Sequence, residues 1–161
     1  MLHVAPEVCF EPRFREILGS GYVTADLFAK TVDVKMDITD IRFPEDAFDV
    51  IYCSHVLEHV ADDKKAMREF YRVLKHNGWA VLLVPITVER TFENPNISDP
   101  KERLRLFGQE DHVRRYGTDY FDRLREAGFK VSRIFARDFL SETEISRMGA
   151  TGEICYCEKR V

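Results

Sequence analysis

The sequence lacks any apolar run approaching the roughly 20 residues needed to span a bilayer, and nothing at its start resembles a signal peptide. Neither membrane insertion nor secretion is expected. It also lacks a C-x-x-C pair: Cys9, Cys53, Cys155 and Cys157 are scattered, and Cys53 and Cys155 sit in apolar runs where a free thiol behaves as a small hydrophobe. That usage suits a reducing cytoplasm. Repeats and low-complexity tracts are missing, as is an excess of positive charge. A formal net charge of -4 repels phosphate backbones, so nucleic acid is not an expected partner, although Arg103, Arg105, Arg114 and Arg115 would make a local positive wall. What remains, 161 residues at 45% hydrophobic and 32% charged, suits one compact domain over 1–161.

Strand and helix signals alternate along that domain. MLHVA is a short apolar run ended by Pro6, and EPRFREILGSG carries helical spacing at Phe14, Ile17 and Leu18 before glycines stop it. GYVTADL and VDVKMDI read as strands delivering Asp26 and Asp37 near their ends. FDVIYC is almost continuously apolar, as a strand covered on both faces should be. The stretch HVLEHVADDKKAMREFYRVLKHNG then places Leu57, Met67, Phe70, Val73 and Leu74 at helical intervals, with Gly78 as a plausible stop. WAVLLVPI is a further buried strand, and residues 87–115 read as a long charged connection whose ENPNISDP piece is unsuited to regular structure. Beyond it, GTDYFDRLREAGF and ETEISRM read as helices, KVSRIF and EICYCEK as strands. The alternation predicts an α/β sheet that holds small ligands outside the carboxyl ends of its strands.

HVLEHV begins at such an end. Taken literally, its two histidines and glutamate match the H-x-x-E-H pattern of inverted zinc proteases, which makes a zinc hydrolase the third-ranked reading; the ordinary alternative packs Val56, Leu57 and Val60 and leaves Glu58 and His59 to cap or face solvent. Asp26 falls about twenty residues after the first strand, where an acidic residue of nucleotide-binding α/β folds accepts from ribose hydroxyls. Asp37 is placed to accept from an adenine amino group with Ile38 against the ring. Either aspartate is equally able to serve as a turn residue.

The series Asp26, then DITDIRFPEDAFD ending at Asp49, then HVLEH from His55, then RVLKHNG ending at Gly78, resembles the class I S-adenosylmethionine-dependent methyltransferases of the type 11 domain group. The resemblance implies a Rossmann-like, mostly parallel sheet with an antiparallel last strand. S-adenosylmethionine would be the cofactor, with S-adenosylhomocysteine as product. It further implies cofactor contacts from Ala5, Pro6 and Glu7 after the first strand, Asp26 and Leu27, Asp37 and Ile38, and Ser54 with His55; HVLEHV then follows the fourth strand and no metal ligand is assigned. His55, nearest the expected methyl group, is the first candidate for general base, because imidazole titrates near neutrality. GQEDHVRRYG offers a substrate lid: His112 as a second catalytic candidate, Arg114 and Tyr116 as substrate-binding groups for an oxygen-rich, carboxylated or carbohydrate-derived small acceptor.

The sequence departs from the family in two places. Ala5-Pro6-Glu7 stands where a glycine-rich loop is usual; S-adenosylmethionine has no phosphate, so no anion cradle is lost, and Glu7 is a candidate partner for its ammonium. Subgroup relatives with this altered loop often carry a cysteine-rich zinc module and a helix ahead of the first strand, neither of which precedes Leu2 here. Too few residues separate Leu27 from the strand around Val34 for a helical crossover, which takes about a dozen. Reduced helix cover on one sheet face follows, and with it a homodimer through that face, or membership of a longer protein. A non-catalytic S-adenosylmethionine-binding or assembly module is the alternative function.

Overall fold

The computed structural model describes residues 1–149 and 153–160. In chain order the elements are β1 (Leu2–Val4), α1 (Glu11–Leu18), β2 (Val23–Asp26), β3 (Val34–Lys35), β4 (Phe48–Ser54), α2 (Asp63–Val73), β5 (Leu74–Leu83), β6 (Phe92–Glu93), α3 (Pro100–Phe107), β7 (Arg114–Arg115), α4 (Tyr120–Glu126), β8 (Lys130–Phe135), α5 (Glu142–Met148) and β9 (Glu153–Glu158). Seven strands form one sheet in the order β3-β2-β1-β4-β5-β9-β8. Every pairing from β3 to β5 is parallel, and β9 lies antiparallel between β5 and β8. This is the expected α/β sheet with its antiparallel last strand.

Register divides the sheet into two unlike faces. Leu2 pairs with Ile51, Val4 with Cys53, Cys53 with Leu82 and Ala80 with Cys157, and all of them are buried. Against this face α2 buries Ala66, Met67, Phe70 and Val73, while α4 buries Tyr120, Phe121 and Leu124. On the opposite face His3 pairs with Tyr52, Tyr52 with Val81 and Val81 with Tyr156. There α1 covers one end, where Phe14 sits edge-on to His3 at 5.8 Å, yet no residue of α1 is itself buried. No helix joins β2 to β3; residues 27–33 connect them, and Asp33 closes the link by accepting from the Thr24 backbone N–H at 2.8 Å and its hydroxyl at 2.7 Å. Trp79, stacked on Tyr156 at 5.7 Å, and Ile154 stay exposed on this face. The reduced helix cover is present as the spacing required.

Three expectations change. The helix after β4 begins at Asp63, where Asp62 caps it by accepting from the Lys65 N–H at 2.9 Å, so HVLEHV is a loop with a single 3-10 turn. It ends at Val73, and Leu74 to Gly78 already belong to β5 beside the bulged register of β4, so Gly78 is no helix stop. The long connection is not structureless: it contains α3, which Asp99 caps by accepting from Glu102 N–H at 3.0 Å with Pro100 at its first position. The signal Asp-Pro-Lys-Glu was legible, since proline suits the first helical residue as well as it suits a loop.

Candidate functional site

The carboxyl ends of β1, β2 and β4 open onto a cavity of about 390 Å³ lined by Ala5, Asp26, Leu27, Phe28, Asp37 and His55, among others. That volume lies in the roughly 300–1,000 Å³ range of small-molecule sites. Two residues of its wall hold a backbone conformation that only glycine adopts freely: Ala5 has φ 48° and His55 has φ 55°. Such strain costs about 1–2 kcal/mol for an ordinary L-residue and collects where a ligand must approach the chain. Ala5 keeps it through its N–H, which donates to Ala25 O at 2.8 Å; His55 N–H donates to Leu83 O at 2.9 Å.

Both acidic candidates line this cavity. Asp26 Oδ1 accepts from the backbone N–H of Phe28 at 2.6 Å and of Ala29 at 2.7 Å, and Asp37 Oδ1 accepts from the N–H and hydroxyl of Thr39. Each carboxylate is thereby oriented through one oxygen while its Oδ2 has no partner among the described residues. Leu27, Met36 and Ile38 supply an apolar wall between them.

Six of the expected cofactor residues, Ala5, Asp26, Leu27, Asp37, Ile38 and His55, therefore share one cavity; Pro6, Glu7 and Ser54 do not line it. Glu7 is turned to the other face, where its Oε2 accepts from His3 Nε2 at 2.6 Å, and His3 Nδ1 lies 2.6 Å from the Tyr22 hydroxyl. Burial, with Glu11 next in effect, pushes the Tyr22 phenol up to about 12, so it keeps its proton near neutrality. Glu7 is thus paired with His3 rather than presented to an ammonium group. Sequence reasoning missed Phe28, Met36, Val56, His59, Val60 and Asp111 in the lining; an aromatic residue two places after Asp26 was the one available hint.

The expected lid is instead an internal clamp. Arg114 is 2% exposed, and its guanidinium donates to Leu57 O at 2.8 Å, to Ala61 O at 2.8 Å and to Val60 O, as well as to Glu93 Oε2 at 2.9 Å. Tyr116 is fully buried and donates to Asp63 Oδ2 at 2.6 Å, where Arg123 also donates at 2.9 Å. Burial and then the Asp63 charge push the Tyr116 phenol well above its usual range, so it exchanges no proton near neutrality. Burial opposes ionisation of Glu93 as well, but Arg123 and Arg114 together hold its carboxyl below the ordinary value. Arg114 and Tyr116 accordingly bind the HVLEHV loop, not a substrate. His112 is buried too, edge-on to His59 at 4.6 Å, behind the cavity wall rather than in it.

Comparison with known proteins bears directly on what such a cavity takes. Residues 13–82 match the family model of a methyltransferase domain. The methyltransferase YcgJ of Bacillus subtilis is 35% identical over 74 residues, a match that spans 46% of this chain and only 28% of that protein's length. The crystal structure of YcgJ superposes with a TM-score of 0.59 at 16% identity, covering 99% of this chain and 91% of that one. A SAM-dependent methyltransferase of Archaeoglobus fulgidus gives a TM-score of 0.62 at 15% identity, covering 98% and 85%. The chain has the fold of these methyltransferases, and its residues 13–82 match their domain model. The Archaeoglobus fulgidus protein is SAM-dependent, and the cavity of this chain sets two carboxylates with free oxygens beside an apolar wall, the groups that a ribose and an adenine ring would need. Among the described residues, no helix is long and apolar enough to cross a membrane.

Proposed function

We propose that this chain transfers a methyl group from S-adenosylmethionine to a small, oxygen-bearing acceptor. The convergence of Asp26, Asp37 and His55 on one cavity at the strand ends carries the reading. The bound cofactor supplies an electrophilic methyl on a sulfonium, an excellent leaving group, so the protein mainly has to position the acceptor and take up its proton. Asp26 holds the ribose hydroxyls, and Asp37 with Ile38 the adenine. His55, with its side chain 62% exposed at the end of β4 and its Nδ1 at 3.4 Å from Glu58 Oε1, receives the proton; the Glu58 carboxylate stabilises the imidazolium that results. A binding module without catalysis has no comparable support, and HVLEH as a protease helix loses its premise because the stretch is a single 3-10 turn and not an α-helix. Calorimetry with S-adenosylhomocysteine is expected to show one site per chain with micromolar affinity. Absence of heat with both S-adenosylhomocysteine and S-adenosylmethionine would remove the proposal.

The strip of exposed Trp79 and Ile154 with half-buried Tyr156 supports a homodimer through the half-covered face. Light scattering at micromolar concentration is expected to give twice 18.8 kDa, and Trp79→Glu to return the monomer mass. A wild-type monomer at that concentration rules this pairing out. The four cysteines are free, three of them buried, as suits a cytoplasmic protein.

A further inference from the structure

We propose that Glu58, His59 and His112 bind one divalent transition-metal ion of the zinc class in the wall of the cavity. Each offers a ligand atom, and the three atoms lie within 4.8 Å of one another. Among the described residues no other three His, Cys, Asp or Glu side chains are grouped in this way. Glu58 and His59 come from the turn after β4, His112 from the segment before β7, and the Val113 N–H donating to Glu58 O at 2.9 Å ties the two segments together.

The hydrogen bonds fix where the lone pairs point. Phe107 O can only accept, so His112 Nδ1, 3.2 Å away, carries a proton, and in the neutral ring Nε2 is then a bare lone pair. Asp111 Oδ2 likewise accepts from His59 Nδ1 at 3.1 Å, which in the neutral ring leaves Nε2 as the lone pair. A carboxylate or carbonyl behind each imidazole is the outer arrangement that orients metal-bound histidines. Two buried atoms in this group have no partner: His112 Nε2 and Glu58 Oε2, on residues only 6% and 2% exposed. Buried acceptors left unmatched in this way are unfavourable. One water has two protons to offer three acceptors, whereas a cation satisfies all three.

Two imidazoles and one carboxylate are the donor set of borderline metals such as zinc, not of calcium or magnesium, which take oxygen. Three protein ligands leave a coordination position open, and His59 and Asp111 both line the cavity. On the methyl-transfer reading, on which this consequence alone rests, the open position takes an acceptor oxygen and lowers its proton affinity beside His55.

The test is made without cofactor, so that it stands apart from the methyltransferase reading. Protein stripped with a chelator and titrated calorimetrically with zinc chloride is expected to bind one equivalent, and cobalt(II) in its place to give visible absorption bands. Asp111→Asn, at a side chain 70% exposed, is expected to weaken zinc binding 10–100-fold without disturbing the fold, and His59→Gln to abolish the stoichiometric site. No uptake by the wild type overturns the proposal, as does zinc binding unaltered by both substitutions, which would place the ion elsewhere. S-adenosylhomocysteine titrated into the same stripped protein reports separately on the cofactor cavity.

Discussion

Asp26→Ala is expected to weaken S-adenosylhomocysteine binding about 100-fold, and Asp26→Asn about 10-fold. The carboxylate has two tasks that these substitutions separate. Its Oδ1 accepts from the Phe28 and Ala29 N–H groups and so shapes the turn after β2, a task that an asparagine carbonyl oxygen can still perform. On the proposed reading, its Oδ2 is the acceptor left for the ribose. Hydrogen bonds involving a charged group contribute about 1.5–3 kcal/mol, or roughly 10–100-fold in affinity. Alanine loses both the turn and the charge, asparagine only the charge. Isothermal titration of folded variants measures the difference, and equal affinity in wild type and both variants would place the ribose somewhere other than β2.

Arg114→Met is expected to lower stability by about 3–5 kcal/mol and the melting temperature by roughly 6–20 °C. Methionine preserves much of the buried volume, so packing is not what is lost. The loss is one positive charge near Asp63, 3.7 Å from Arg114 Nε, together with the donors for three backbone carbonyls of one loop. Arg123 remains to pair Asp63, which keeps the cost from rising further. Arg114→Lys should recover only part, because an ammonium cannot reach Leu57, Val60 and Ala61 carbonyls and Glu93 at once as the guanidinium fork does. Thermal denaturation followed by circular dichroism decides it; a change under 2 °C for Arg114→Met would show that the clamp contributes nothing of consequence.

That clamp also explains the clearest mismatch between sequence and structure. HVLEHV has helical spacing, and its apolar residues do pack, with Leu57 fully buried. A helix running on from Leu57 would need the carbonyls of Leu57, Glu58, Val60 and Ala61 for its own N–H groups. Arg114 takes three of these and the Val113 N–H takes the fourth. The partner lies more than fifty residues away, so local periodicity carries no trace of it. Asp62 and Asp63, by contrast, marked the true start of α2 openly, as a capping residue followed by an acidic first turn.

Glu7 and the pair Arg114–Tyr116 failed for a related reason. Glu7 was assigned from its place after the first strand, and Arg114 and Tyr116 from residue type in a segment between the long connection and the next helix; neither ground says which face a side chain takes. Glu7 follows the strained Ala5 and turns back onto His3, whose burial under α1 demanded a partner. Arg114 and Tyr116 are chemically suited to a carboxylated ligand and were recruited by Glu93 and Asp63 of the chain itself.

By itself the sequence determined the alternation of strands and helices, the missing crossover helix between β2 and β3, and the delivery of Asp26, Asp37 and His55 to strand ends. Those features follow from hydrophobic period and chain length, which are local quantities. Only the tertiary structure decided that these three side chains share a cavity, that HVLEHV is held open as a loop, and that His112 stands beside Glu58 and His59. Such meetings depend on contacts between segments distant along the chain, and no local property of either segment encodes its partner's position.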